Sequence, residues 1–188
     1  MGIWDIEVDL NEAKEVGIKR QEGHIKHNNS TRRFFENPYE EDIIGVIGEL
    51  AIEKKFGLKM DREVRPKGDG HYDFTITVNG ILITIDIKTA RKPYNLLIKN
   101  HEIDVAADVN ILAGLKGNIV TFLGWETKTV MKDRPKKDFG YGIINYYKHS
   151  TKLRPMEKIA AIINASDEVK LIKGGQNECK SDSQYLVV

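Results

Sequence analysis

Asn79-Gly80 stands between two runs that alternate apolar and polar residues, Tyr72 to Val78 and Ile81 to Lys88. Asn and Gly accept the positive φ that a two-residue turn requires at both positions, so the pair is the strongest short-range hairpin signal a sequence can carry. A two-residue turn also fixes register. Val78 faces Ile81, Ile76 faces Ile83, Phe74 faces Ile85 and Tyr72 faces Ile87, making one dry face. The other face pairs Thr75 with Thr84 and, one step out, Asp73 with Asp86, with Lys88 two residues further along and His71 opposite it. Directly opposed side chains on an antiparallel pair have Cβ atoms roughly 4.5 to 5.5 Å apart, and like charges there are destabilising. A shared proton, a neighbouring cation or a bound divalent metal would each relieve the two aspartates. Lys88 offers one positive charge, and a hard ion such as Mg²⁺, which takes carboxylates, waters and phosphate oxygens, could offer more.

The rest of the chain reads as support for this hairpin. Ile3 to Val8 suggests a short strand or extended arm, and Leu10 to Ile25 a peripheral helix capped by Asp9. A polar linker with Arg32 and Arg33 leads to a stronger helix, Tyr39 to Phe56, stopped at Gly57. Glu49 sits at the rim of its apolar arc, on the side of Gly45 and Gly48. It reads either as a solvated acid or as one directed into a cleft beside the sheet. A strand is expected at Asp61 to Arg65, and Val109 to Leu112 and Ile119 to Leu123 read as two buried strands joined through Gly114 to Gly117. Leu96 to Ile103 is open between strand and crossover, and Gly140 to Tyr147 between strand and loop. A short helix near Thr127 to Lys132 and a last one at Pro155 to Ile163 complete the pattern, with an edge strand suggested at Tyr185 to Val188. The expected organisation is an N-terminal helical arm and linker over residues 1–38, a core over 39–163 and a C-terminal tail over 164–188.

An acid-x-Lys triplet alone means little, because six occur here: at Glu12, Glu53, Asp86, Glu126, Glu168 and Glu178. Only Asp86-Ile87-Lys88 lies on an alternating strand with isoleucines on its opposite face and a second aspartate across a hairpin. Together with Glu49 in the first core helix and Asp73 on the preceding strand, it resembles the PD-(D/E)xK nuclease superfamily. The resemblance spans about Tyr39 to Arg91 and, more loosely, the strands to Leu123. His71-Tyr72 stands before Asp73 in place of the usual proline, and the second acid is Asp. The resemblance implies an α/β fold with a mixed central β-sheet flanked by helices, a restriction-endonuclease-like core, and Mg²⁺- or Mn²⁺-dependent hydrolysis of phosphodiester bonds. Asp73, Asp86 and the Ile87 carbonyl would hold the metal, Glu49 would contact it through water or help hold a second ion, and Lys88 would orient the attacking water.

Basic and polar residues beyond this strand, Thr89, Arg91, Lys92, Lys99 and His101, are candidates for phosphate contacts. Lys148, in the aromatic and cationic run Tyr146-Tyr147-Lys148-His149, is another. A formal net charge of +1 excludes binding of nucleic acid by bulk charge, so a local patch must serve. The single cysteine, Cys179, argues against a disulfide framework and fits a reducing compartment. With no signal peptide and no apolar run long enough to span a bilayer, the expected location is cytoplasmic. The resulting expectation is a metal-dependent nuclease, DNA favoured over RNA and endonuclease over exonuclease, possible as a homodimer. The alternative is a non-catalytic nucleic-acid-binding or assembly protein that keeps the scaffold. A hydrolase of another phosphoester is a third reading.

Overall fold

The computed structural model describes residues 2–26, 39–63, 72–140 and 142–166. In chain order these form β1 (Asp5–Glu7), α1 (Leu10–Lys26), α2 (Glu40–Phe56), β2 (Phe74–Val78), β3 (Ile81–Ala90), β4 (Asn95–Lys99), β5 (Val109–Lys116), β6 (Ile119–Thr127), α3 (Lys128–Lys132), β7 (Lys136–Asp138), β8 (Ile144–His149), a 3-10 turn (Ser150–Lys152) and α4 (Met156–Asn164). The fold is mixed α/β. Its central sheet has five strands in the order β1-β6-β5-β3-β2, antiparallel except for the parallel pair β3 and β5. A separate sheet has three strands, ordered β4-β8-β7.

The hairpin register follows the turn. Asn79 and Gly80 both have positive φ, 50° and 76°, and the ladder runs from Val78 with Ile81 to Phe74 with Ile85 as expected. Phe74, Ile76, Ile83, Ile85 and Ile87 are buried on the dry face, while Ile81, beside the turn, is 52 % exposed. That face packs under α1, α2 and α4 in one cluster with Val109, Ile111 and Ala113 of β5. Alternation therefore sends Asp86, Lys88, Asn110 and Leu112 to the opposite face. Among the described residues the three longer helices lie on one side of the sheet. On the other side Leu112 packs with Leu96 and Ile98 of β4, Tyr146 of β8 and Met131 of the short α3, so the three-stranded sheet forms most of that layer.

Several local expectations hold. Asp9 caps α1 by accepting from the Asn11 N–H at 2.8 Å, and the Gly57 N–H closes α2 on the Glu53 carbonyl at 2.8 Å. Others need correction. The β5–β6 turn is Gly117-Asn118, not Gly114 to Gly117, because both strands run on past their apolar cores to pair Lys116 with Ile119. Residues 61–63 form no strand: the Arg62 guanidinium reaches Glu12 of α1 at 2.7 Å and Glu53 of α2 at 2.9 Å, and the Asp61 carbonyl accepts from Arg20 at 2.6 Å, which ties this segment to the helices. Val64, Arg65, Arg32, Arg33, His71, and the tail from 167 with its suggested edge strand lie outside the described residues. Helix α1 is less peripheral than its charge suggests, since Ala13, Val16 and Gln21 are buried and Gly17 lies against the Ile43 backbone. Among the described residues no helix is long and apolar enough to cross a membrane.

Candidate active site

The hairpin ladder stops one rung before the aspartate pair. The Asp73 N–H donates to the Ile85 carbonyl at 2.9 Å, the residue that Phe74 already faces, so Asp73 does not take the regular position opposite Asp86. Two residues set against one is the pattern of a bulge, which re-aims a side chain. The Asp73 carboxylate turns onto β3 and accepts the Ile87 N–H at 2.7 Å through Oδ2, filling the place that a further rung of β2 would have taken. Because the N–H and C=O of one strand residue point to the same edge, the Ile87 carbonyl points to this edge too.

Asp73 still feels the charge of Asp86 after the change of register. Burial pushes the Asp73 carboxyl well above the usual carboxylate range, and the charges of Asp86 and Glu49 push it further, against opposing pulls from Lys88 and the Ile87 N–H. Asp86 is buried at 7 % exposure, and its Oδ1 accepts from the Lys88 ammonium at 2.9 Å. Lys88 has 48 % of its side chain exposed. Burial opposes its charge, yet the carboxylates of Asp86 and Asp73 outweigh that and raise its pKa, so the ammonium stays protonated at neutral pH.

Glu49 is not a solvated surface acid. It is 4 % exposed, and the guanidinium of Arg20 grips it at both oxygens, Nη1 to Oε1 at 2.6 Å and Nη2 to Oε2 at 2.8 Å. Helix α2 can bring it close because Gly48 rests on β3: a Cβ there would stand 1.9 Å from Thr89 Oγ1 and 3.4 Å from the end of Ile87. Arg20 was the partner the sequence left unseen. Its signal lies in the spacing Ala13, Val16, Gly17, Arg20, Gln21, which continues one helical stripe into two polar residues that then need buried partners.

The outer candidates divide. Lys92 and His101 are exposed, and Lys99 pairs with Glu102 at 2.7 Å, with His101 Nε2 3.6 Å from the same carboxylate oxygen. Burial opposes the Glu102 charge, but Lys99, His101 and Lys88 together keep its pKa low, which places this turn beside the Lys88 end of the cluster. Arg91 is exposed and paired with Glu40. Thr89 points away from solvent, its buried hydroxyl lying against Gly48 without a hydrogen-bond partner among the described residues. Lys148 also points inward: its side chain is 13 % exposed and its ammonium pairs with Glu126, so it is not available to a phosphate on the surface.

Glu126 is the second group the sequence reading passed over. It is 1 % exposed, holds Lys148 at Oε2 and Arg154 at Oε1, the latter at 3.0 Å, and lies in register with Asn110, itself in register with Asp86. Its inward placement follows a register shift in β6 between the pairings of Leu112 and Ala113, and no alternation count reveals such a shift.

The donors offered near Asp73 are all oxygens: two carboxylates and a main-chain carbonyl. Their chemistry suits a hard divalent cation, and the raised Asp73 pKa marks a place where added positive charge would be stabilising. Among the described residues no three or more His, Cys, Asp or Glu side chains are grouped so as to hold a metal ion, so a cation here would draw on waters and phosphate oxygens as well. Compared with protein-family models, curated proteins and solved structures, the chain matches none.

Proposed function

We propose that this protein is a metal-dependent phosphodiesterase acting on nucleic acid, a DNA endonuclease in the first instance, with a restriction-endonuclease-like core. The observation that carries the reading is the cluster at the end of the hairpin. Asp73 is buried with its charge opposed by Asp86 and Glu49, and a protonated, half-exposed Lys88 stands on the same strand. Asp73, Asp86 and the Ile87 carbonyl would hold Mg²⁺ or Mn²⁺. Such an ion, when bound, lowers the pKa of a coordinated water and offsets charge on the phosphate.

The chain's own groups supply the rest. The Lys88 ammonium can leave Asp86 for a phosphate oxygen or a water, since it is a compact charge with three donors on a flexible stem. The Ile87 N–H fixes the Asp73 carboxylate, so its orientation is set before substrate arrives. Arg20 holds Glu49 in place, and Glu49 acts on the cluster through its field and through water. Lys92, Lys99 and His101 are the phosphate contacts this arrangement favours, with Arg91 available on exchange of Glu40. The ion pairs that hold Glu49 and Asp86 favour a second reading, a nucleic-acid-binding protein that keeps this sheet without cutting.

Labelled single- and double-stranded DNA and RNA, incubated with the protein and increasing Mg²⁺ or Mn²⁺, separate the readings. Cleavage by the wild type, and loss of about a hundredfold or more in Asp86→Ala and Lys88→Ala, is the expected result. No cutting with either metal, or equal cutting by the variants, would overturn the catalytic reading.

A further inference from the structure

The three-stranded sheet has an outer face that neither hydrophobic cluster uses. Leu96 and Ile98 of β4 and Tyr146 of β8 point inward, so alternation puts Lys99, Asn145 and Tyr147 on the outside. Register carries a polar row across that face: Lys99 pairs with Asn145, and Asn145 with Lys137 of the edge strand β7. Phe139 closes edge-on against Tyr147 with centroids 5.5 Å apart, and the Lys137 ammonium lies 5.5 Å from the Phe139 ring. Lys136 pairs with Tyr146 and its ammonium lies 4.6 Å from that ring, so it turns to the inner side of the sheet and leaves the outer row to Lys137. Arg134, Lys136 and Lys137 are all exposed, and no carboxylate pairs with any of them among the described residues. At the other end of the row, Lys99 meets Glu102 beside Lys88.

We propose that this outer face is a docking track for a single strand of nucleic acid, leading from the β7 edge to the carboxylate cluster. The proposal rests on the nuclease reading for its occupant, and its own support is charge and ring placement. Phosphates meet Arg134 and Lys137 at the edge and Lys99 at the inner end, two strands or roughly 10 Å away. A base stacks on the Tyr147–Phe139 pair, as aromatic platforms do in proteins that track single strands. The row ends at Lys99 and Glu102, at the Lys88 end of the cluster.

The test uses the full chain carrying Asp86→Ala, in EDTA, with fluorescein-labelled oligothymidylate and a labelled duplex followed by anisotropy over a range of salt. Combined Arg134→Ala and Lys137→Ala should weaken oligothymidylate binding by about tenfold or more and lower the slope of log affinity against log salt by about 1.4. Tyr147→Ala should weaken oligothymidylate by about tenfold and the duplex by less. Lys116→Ala, an exposed cation at the β5–β6 turn, should change neither. Lys137→Ala alone, checked by its melting temperature, guards against misfolding of the double variant. Equal binding by wild-type surface and double variant would overturn the track and leave the nuclease reading standing. Failure of the wild-type surface to bind any nucleic acid would also overturn it. Cations on an edge strand can serve only to block strand addition, and aggregation of the double variant with undiminished affinity would assign them that role instead. Loss of binding as stated, in a protein that cuts nothing with either metal, would keep the track and remove the nuclease reading.

Discussion

At the scale of single residues, Asp73 decides the charge balance of the site. Its carboxyl is held above the ordinary range first by burial and then by Asp86 and Glu49. A group whose folded pKa lies above its unfolded value stabilises the fold fully below that unfolded value, near 3.8 here, and the contribution is lost as pH rises through the folded value. At pH 8 the aspartate is therefore a burden on the metal-free fold. Asp73→Asn keeps an oxygen for the Ile87 N–H and removes the charge, so in EDTA it should raise stability by on the order of 1 kcal/mol, about 2–4 °C in melting temperature. The gain should shrink as pH falls toward 4. Adding Mg²⁺ should raise the melting temperature of the wild type and leave the Asn variant unmoved, because only a site that binds in the folded state stabilises it. A variant less stable than wild type at pH 8 would remove the electrostatic account of this residue. The same residue marks a limit of sequence reading. The turn sets Asp73 opposite Asp86, but the last rung is not a rung, since a strand's final residue can leave the ladder wherever its side chain offers a better acceptor.

At the scale of elements, the approach of α2 to β3 is set by two glycines with opposite surroundings. Nothing lies within 4 Å of a Cβ built on Gly45, whereas one on Gly48 meets Thr89 Oγ1 at 1.9 Å. Gly45→Ala should stabilise the protein by about 0.5–1 kcal/mol through helix propensity. Gly48→Ala should destabilise it by about 1–3 kcal/mol through overpacking, with part of the loss recovered by Thr89→Ala, whose remaining Cβ is 3.2 Å away. Urea unfolding of the four proteins checks both signs; a stabilising Gly48→Ala would mean that α2 does not seat on β3 in this way. Both glycines lie near Glu49 in the sequence, and the chain alone gives no way to tell which one faces the sheet. The hairpin was legible because its turn is local. The segment 61–63 was not, because its path is dictated by Glu12, Glu53 and Arg20, partners that come from other elements.

At the scale of the molecule, the three-stranded sheet is what the sequence showed least. Its strands β4 and β8 are separated by some forty intervening residues in which β5, β6 and β7 occur, and each is too short for alternation to speak clearly. What fastens it to the central sheet, besides the apolar cluster under β4, is one buried acid. Glu126 of β6 holds Lys148 of β8 and Arg154 ahead of α4, while its Oε1 also accepts the Thr127 N–H at 3.0 Å. Arg154 is in turn placed by a bridge to Trp125, with N–H···O distances of 3.1 and 3.0 Å, and by its guanidinium lying 5.1 Å from the Trp125 ring. Breaking a buried ion pair from one side is costly, since partners are left in low dielectric without their counter-charge. Glu126→Ala should therefore cost about 3–5 kcal/mol, and Lys148→Met less, because Arg154 and the Thr127 N–H still satisfy the acid. The loss should be local before it is global. Hydrogen exchange should show β4 and β8 amides losing protection in Glu126→Ala at conditions where β2 and β3 keep theirs, as expected if the small sheet undocks as a unit. Uniform loss across both sheets would mean that the acid supports the core as a whole. The distinction bears on function, since the small sheet covers the face that carries Asp86 and Lys88, and its undocking would expose the cluster to water and separate Lys99 and Glu102 from it.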